Sequence, residues 1–146
     1  MRVFQTIKTV YVWMKKLTII SVFLFTLSSF FVFSNDLIDE TDDKIIEAIQ
    51  HGNAKELAKF FNNTLDLNTP ENEGTFSKAQ AEVVMKDFFS KNPPKSFKIN
   101  HQGSSNDGSH FFIGLYTTQK QNFRTYFLIK KVGEQYLIQL LQFEKE

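Results

Sequence analysis

The residue best placed for acid–base chemistry is Asp66, which stands between two leucines in the segment FFNNTLDLNTP. A carboxylate held in an apolar wall can transfer protons near neutral pH, because burial raises its pKa. The same alternation, however, puts Leu65 and Leu67 on one face of a short strand and Asp66 on the other. A charged residue that alternates with leucines usually faces solvent. We therefore predict that Asp66 is an ordinary strand residue on the solvent side.

The three histidines are the other candidates for proton transfer or metal binding. His51 lies at the end of a helical pattern, where its charge suits the helix dipole. His101 and His110 flank the segment SSNDG, and a four-residue loop there would put both on one face of a hairpin. A closed zinc site needs four ligands, and the chain has no cysteine and no HxH or HxxxH pair. We therefore predict no metal site and no cofactor.

The common catalytic and nucleic-acid-binding patterns are missing from the sequence. It contains no GxSxG, no P-loop and no GxGxxG. Residues 1–34 hold four basic residues and no acidic one, so the rest of the chain has 13 basic and 16 acidic residues. A mildly acidic domain without clustered Lys and Arg binds phosphate backbones poorly. We predict no catalytic residue and no nucleic-acid partner.

The first 34 residues have the pattern of an export signal. Basic residues come first, residues 17–33 carry no charge, and Val32 and Ser34 supply the compact side chains that a signal peptidase requires. We predict cleavage after Ser34, a periplasmic or secreted protein, and no membrane contact afterwards. The apolar run is near the lower limit of about 17 residues for a spanning helix, so an uncleaved anchor is the alternative. Met14 is a second candidate for the translation start.

The remaining chain begins with helical patterns. Residues 35–43 are polar and acidic, and we predict that they form a flexible lead-in to a single domain, residues 44–146. Three helices are predicted to follow from Lys44, Asn53 and Ser77. Asn and Ser are favoured N-cap residues, since their side chains accept hydrogen bonds from the first free backbone N–H groups.

Strand patterns follow the helices. A short strand, TLDLN, precedes the third helix, and TPENEG between them has the composition of a turn. Four further strands are joined by short loops, which requires an antiparallel meander. The order predicts an α+β domain whose N-terminal helices pack on one face of an antiparallel sheet. The four strands are predicted at residues 96–103, 109–118, 123–132 and 135–143.

Three segments carry a resemblance to a known family: AIQHGNAKELAKFFNNTLDL, GTFSKAQAEVVMKDFFSKNPPKSFKI and YFLIKKVGEQYLI. They resemble small secreted proteins of Bacteroidetes-type bacteria called domain of unknown function 4783, over residues 44–146. The resemblance implies a cone like that of nuclear transport factor 2, or a cystatin-like fold, in which helices close over a curved antiparallel sheet. The family has no assigned activity, and its wider superfamily holds both enzymes and binding modules, so the fold alone does not select a function.

The resemblance implies one candidate enzyme site. Ketosteroid isomerases of this superfamily use buried carboxylates and a tyrosine inside an apolar cavity. Asp66, Tyr116 and Tyr126 could imitate that composition, although none lies in a motif that matches those enzymes. A hollow cone would be lined by apolar side chains with a few polar groups. The candidate cavity residues are Phe61, Asp66, Met85, Phe89 and Phe111.

The last two strands predict an apolar second face of the sheet. A two-residue loop, Gly133-Glu134, pairs Val132 with Gln135, so that Ile129 faces Ile138 and Phe127 faces Leu140 on the helix side. An apolar patch on the other face is typical of an interface, and we predict a homodimer. The alternative is that a terminal segment folds over the patch. Its residues are Tyr126, Leu128, Leu137, Leu141 and Phe143.

These observations predict an exported small binding or interaction module. Its ligand would be a small apolar molecule, an envelope protein or a second copy of the chain. One alternative is a small isomerase- or cyclase-like enzyme with acid–base residues in an apolar cavity. Another is a structural partner in a complex of the cell envelope. A filled core would argue against the enzyme, and a cavity with a buried, partnered carboxylate would argue for it.

Overall fold

The computed structural model describes residues 40–146, which fall in one compact unit. The predicted signal peptide, its cleavage site and residues 35–39 lie outside the described residues. Within the described range, no helix is long and apolar enough to cross a membrane. The helices are α1 (Glu40–Gln50), α2 (Ala54–Ala58) and α3 (Lys78–Lys91).

Helix α1 begins earlier than the sequence predicts. Residues 40–43 were assigned to a flexible lead-in, but they form its first turn, and Asp42 is only 2% exposed. The spacing of the buried residues fits this longer helix, since Asp42, Ile45 and Ile49 lie on one helical face. Polar, acidic residues are typical of a flexible lead-in, but they are also favoured in a first helical turn. Composition alone therefore does not locate the start of α1.

The predicted caps of the other two helices are present. The Asn53 side chain accepts a hydrogen bond from the backbone N–H of Glu56 at 3.1 Å and starts α2. Ser77 and Gln80 form a capping box that starts α3. Phe61, one of the candidate cavity residues, opens the strand that follows α2 and is buried.

The strands form one six-stranded sheet in the order β2-β1-β6-β5-β4-β3. The antiparallel meander of the last four strands is confirmed. The sheet is nevertheless mixed, because β1 pairs with β6 in parallel, and the prediction of a purely antiparallel sheet is wrong. The strands are β1 (Phe61–Thr69), β2 (Asn72–Ser77), β3 (Ser96–Ser104), β4 (His110–Thr117), β5 (Asn122–Val132) and β6 (Gln135–Lys145).

Strand β2 was not predicted from the sequence. The segment predicted as a turn is a tight hairpin in which Thr69 pairs with Asn72, and the chain then runs back along β1 to Ser77. Strand β2 is an exposed edge strand with the polar sequence NEGTFS. Apart from Phe76, which packs against the core, its residues are polar or glycine, so they lack the alternation of apolar and polar residues that marks a strand.

A β-bulge in β6 decides which of its side chains face the helices. Ile138 pairs with Ile129 as predicted, but the register shifts at Gln139, so Phe127 pairs with Leu141 and not with Leu140. Because side chains alternate between the faces of a strand, one extra residue exchanges the faces of all that follow. Two residues assigned to the dimer face, Leu141 and Phe143, are therefore at most 1% exposed in the core.

The core lies between the helices and one face of the sheet. Phe88 of α3 is its central aromatic residue, with its ring centroid 4.5 Å from that of Phe143 and 5.3 Å from that of Phe123. It also packs against Phe89 and Tyr116 at 5.7 Å. Such tilted and edge-on ring contacts stabilise a core beyond the area they bury.

Candidate functional site: the open face of the sheet

The face of the sheet that points away from the helices carries a set of apolar side chains. We call this set the open face. Each side chain is partly exposed, although the next residue along the strand is often fully buried. The set lies on the three strands β4, β5 and β6. Its members are Phe111, Ile113, Leu115, Tyr126, Leu128, Leu137 and Leu140.

The open face is continuous across the strands. Leu140 pairs with Leu128, and Leu128 pairs with Phe111, so three large apolar residues follow one another in register. The ring of Phe111 lies over Gly103 of β3, where a Cβ atom would come within 2.6 Å of the ring. Glycine at position 103 therefore leaves room for the Phe111 ring.

Asp66 lies on the open-face side and is exposed, as the alternation in the sequence predicts. Its carboxylate accepts a hydrogen bond from the Thr75 hydroxyl at 2.6 Å across the β1–β2 pair. On its other side it pairs with Leu140. This position is at the edge of the apolar set and outside any apolar enclosure.

The five candidate cavity residues do not lie together. Phe61, Met85 and Phe89 are buried in the core on the helix side, with at most 5% exposure. Asp66 and Phe111 lie on the opposite side of the sheet. The ring of Phe89 packs against Tyr116 and Phe143, so it fills the core at the place where a hollow cone would need space.

Tyr116 is a structural residue of this core. It is fully buried, and its hydroxyl donates a hydrogen bond to the Asn92 carbonyl at 2.6 Å, which holds the end of α3 on the sheet. Burial raises the pKa of Tyr116 above its usual value, so the phenol stays protonated. Its candidate partner Tyr126 is on the open face, and the two tyrosines are separated by the sheet.

We expect Tyr116→Phe to destabilise the domain by about 1–2 kcal/mol, because the half-buried Asn92 carbonyl loses its donor. Urea unfolding followed by circular dichroism would measure the change. Tyr126→Phe is the matched control, and we expect it to change the free energy of unfolding by less than about 0.5 kcal/mol. Equal effects of the two substitutions would contradict the structural role of Tyr116.

The two hairpin histidines lie on opposite sides of the sheet. The loop between β3 and β4 has five residues, Ser105–Ser109, and Ser104 pairs with His110. His101 therefore pairs with Ile113 on the open-face side. His110 turns towards the helices, so the shared metal site that a four-residue loop would allow does not form.

His110 makes a contact that no pattern in the sequence predicts. Its Nδ1 atom donates a hydrogen bond to the Asp42 carboxylate of α1 at 2.8 Å. The Asp42 side chain is 3% exposed and that of His110 is 23% exposed. The ring of His110 also stacks on Tyr136 with the centroids 5.4 Å apart. A buried carboxylate that orients an imidazole can serve acid–base chemistry, but here it also joins the first turn of α1 to the sheet.

The described part of the chain holds no group of three or more His, Asp and Glu residues that could bind a metal ion. Two surface clefts border Phe60, with volumes of about 350 and 400 Å³. Neither is lined by any of the five candidate cavity residues. The open face therefore remains the feature that best suits a binding role.

The chain is thus a small α+β protein with helices on one face of a curved mixed sheet and an apolar second face. It belongs to the family described as domain of unknown function (DUF4783), whose model matches residues 42–144. The family prediction is confirmed. No curated protein matches the chain.

Solved structures of family members from Bacteroides are similar to this chain. The protein from Bacteroides uniformis is 35% identical, with a TM-score of 0.67 over 71% of this chain and 95% of that chain. The protein from Bacteroides ovatus is 34% identical, with a TM-score of 0.66 over 70% and 93% of the two chains. Nearly the whole of each crystallised relative thus corresponds to the described domain.

A more distant structure supports the fold alone. A domain of unknown function with a cystatin-like fold from Nostoc punctiforme is 14% identical, with a TM-score of 0.56 over 71% of this chain and 72% of that chain. This similarity agrees with the predicted arrangement of helices on a curved sheet.

Proposed function

We propose that this chain is an exported interaction module that binds a protein partner through the open face. The observation that supports this proposal is a continuous row of partly exposed apolar residues, Leu140, Leu128 and Phe111, on a sheet whose other face is filled. The side chains on a solvent-facing side of a sheet are normally polar. An apolar patch of this kind on a stable domain typically marks a binding surface.

An enzyme with an internal site is supported less well. Its proposed acid, Asp66, is exposed and bonded to Thr75, and its proposed tyrosine, Tyr116, is bonded to a backbone carbonyl in the core. These groups face opposite sides of the sheet and cannot act on one substrate atom. The Asp42–His110 pair is the remaining acid–base candidate, and its contacts also account for it as a link between α1 and β4.

We also propose that the domain has the cone fold of nuclear transport factor 2. The order of helices and strands, the mixed sheet and the filled helix side are compatible with the cone of nuclear transport factor 2. The similarity to a cystatin-like domain supports the same arrangement. An experimental structure that shows the helices in another position over the sheet would contradict this assignment.

Site-specific photo-crosslinking in the living cell tests the interaction module. A benzoylphenylalanine residue replaces Tyr126 or Leu128 on the open face, and the matched control replaces Val83, which is 66% exposed on α3. We expect a discrete adduct from the two open-face positions and none from Val83. An absence of adducts at both open-face positions would contradict the proposal.

The mass of the adduct separates the kinds of partner. Twice the mass of the chain indicates a second copy, and another discrete mass indicates a different protein, which mass spectrometry of the adduct then identifies. Both results support the interaction module. Adducts of equal yield from Val83 and Leu128 would indicate non-specific contact and would contradict a dedicated face.

We also propose export to the periplasm or the exterior. The basic start, the uncharged residues 17–33 and the compact residues Val32 and Ser34 support it. Intact-mass analysis of the protein from the native cell should show Asn35 as the first residue. A membrane-bound form that keeps residues 17–33 would favour the anchor, and a soluble cytoplasmic form would contradict export.

A further inference from the structure

The charged residues around the open face are separated by sign. On the half of the sheet made by β2, β1 and β6, the strand residues that point to this side include three acids and no base. On the half made by β5, β4 and β3, they include three bases and a histidine, and no acid. The acids are Glu73, Asp66 and Glu144, and the others are Arg124, Lys130, Lys98 and His101.

The pairing register aligns these charges in rows across the sheet. One row runs from Glu73 on β2 through Asn68, Gln142, Tyr126 and Ile113 to His101 on β3. A second row places Glu144 beside Arg124 and ends through Leu115 at Lys98. The sign of the charge changes between β6 and β5, which is the middle of the six-stranded order.

A face with this pattern is complementary to itself in one orientation. If a second copy is rotated by half a turn about an axis that lies between the two sheets and runs along the strands, its β3 edge lies over the β2 edge of the first copy. The basic half of each copy then faces the acidic half of the other. A half turn about an axis across the strands would place acidic on acidic and basic on basic, which is repulsive.

We propose that the partner of the open face is a second copy of this chain, held by a two-fold axis parallel to the strands between β5 and β6. This inference rests on the proposed function of the open face and adds the partner and its orientation. Leu128 of one copy then faces Leu140 of the other in the apolar centre. Arg124 faces Glu144 of the second copy near the axis, and the opposite charges at the edges orient the encounter within the Debye length of about 10 Å.

Two sheets stacked in this way keep their strands nearly aligned, as in β-sandwiches. A two-fold contact uses the same patch on both copies. The open face of one copy therefore covers the open face of the other, and no second complementary surface is needed. The apolar centre supplies most of the affinity, whereas the charged halves select the orientation.

Cysteine crosslinking tests the orientation, because the chain contains no native cysteine. The protein from Asn35 to Glu146 is prepared as Glu73→Cys and as His101→Cys, and a short bismaleimide is added to each variant alone and to a mixture. We expect a crosslinked dimer in the mixture and little in either variant alone. Self-crosslinking of the separate variants, with no gain on mixing, would overturn the proposed axis.

Charge neutralisation gives a second, independent result. Removing the acidic half with Asp66→Asn, Glu73→Gln and Glu144→Gln should raise the dissociation constant at least about tenfold at low salt, and high salt should remove the difference. An axis across the strands predicts the opposite sign, because this change would relieve repulsion. A wild-type chain that stays monomeric, while photo-crosslinking finds another partner, would overturn this inference and leave the interaction module standing.

Discussion

Leu141→Lys is expected to destroy the fold, whereas Leu140→Lys, one residue earlier, is expected to preserve it. Leu141 is fully buried and pairs with Phe127 on the helix side, so lysine there loses a packed side chain and buries a charge. Loss of a buried leucine alone costs about 2–5 kcal/mol, and an unpaired buried ammonium adds to it. The sum is comparable with the whole stability of a small domain, about 5–15 kcal/mol.

Leu140 is the matched control because it is the same residue type on the same strand. It is partly exposed and pairs with Leu128 on the open face. A lysine there can extend its ammonium group into water, and we expect a loss of less than about 1.5 kcal/mol in the monomer. Urea unfolding at low protein concentration measures both variants. The reverse order of the two effects would show that the bulge at Gln139 is absent.

Phe88→Ala is expected to have the second largest effect on stability. The Phe88 ring lies within 6 Å of four other aromatic rings and joins α3 to β5 and β6. Removing it leaves a cavity under the helix, because rings held by neighbouring strands cannot close the space. Substitutions of this kind cost about 3–5 kcal/mol.

Val83→Ala on the same helix is the control for this substitution. Val83 is 66% exposed and contributes little to the core, so we expect a change of less than about 0.5 kcal/mol. Thermal or urea unfolding of both variants measures the difference. A loss below about 1 kcal/mol in Phe88→Ala would contradict the account of a closely packed aromatic core.

Local sequence signals predicted most of the helices and the meander. The caps at Asn53 and Ser77 and the two-residue loop after Val132 act over a few residues, and each formed where the sequence placed it. Properties that depend on distant parts of the chain were not visible. The parallel pairing of β1 with β6 and the edge strand β2 follow from the packing of the whole sheet.

The sequence predicted that the open face is apolar, but it predicted only some of the residues on that face. Tyr126, Leu128 and Leu137 were correctly placed on the face opposite the helices. Leu141 and Phe143 were misplaced because a bulge changes no residue type and leaves no sign in the alternation of Leu137–Phe143. The Asp42–His110 contact joins residues 68 positions apart, so only the buried helical spacing of Asp42 with Ile45 and Ile49 could have indicated it.

Sedimentation velocity of the protein from Asn35 to Glu146 tests the role of the open face most directly. The account predicts a species of two chains at micromolar concentration, and a single chain for Leu128→Lys with an unchanged circular dichroism spectrum. Val83→Lys, a lysine at a helix position that is 66% exposed, should remain a pair of chains. A wild-type protein that sediments as one chain at every concentration, or a pair that survives Leu128→Lys, would contradict self-association through the open face.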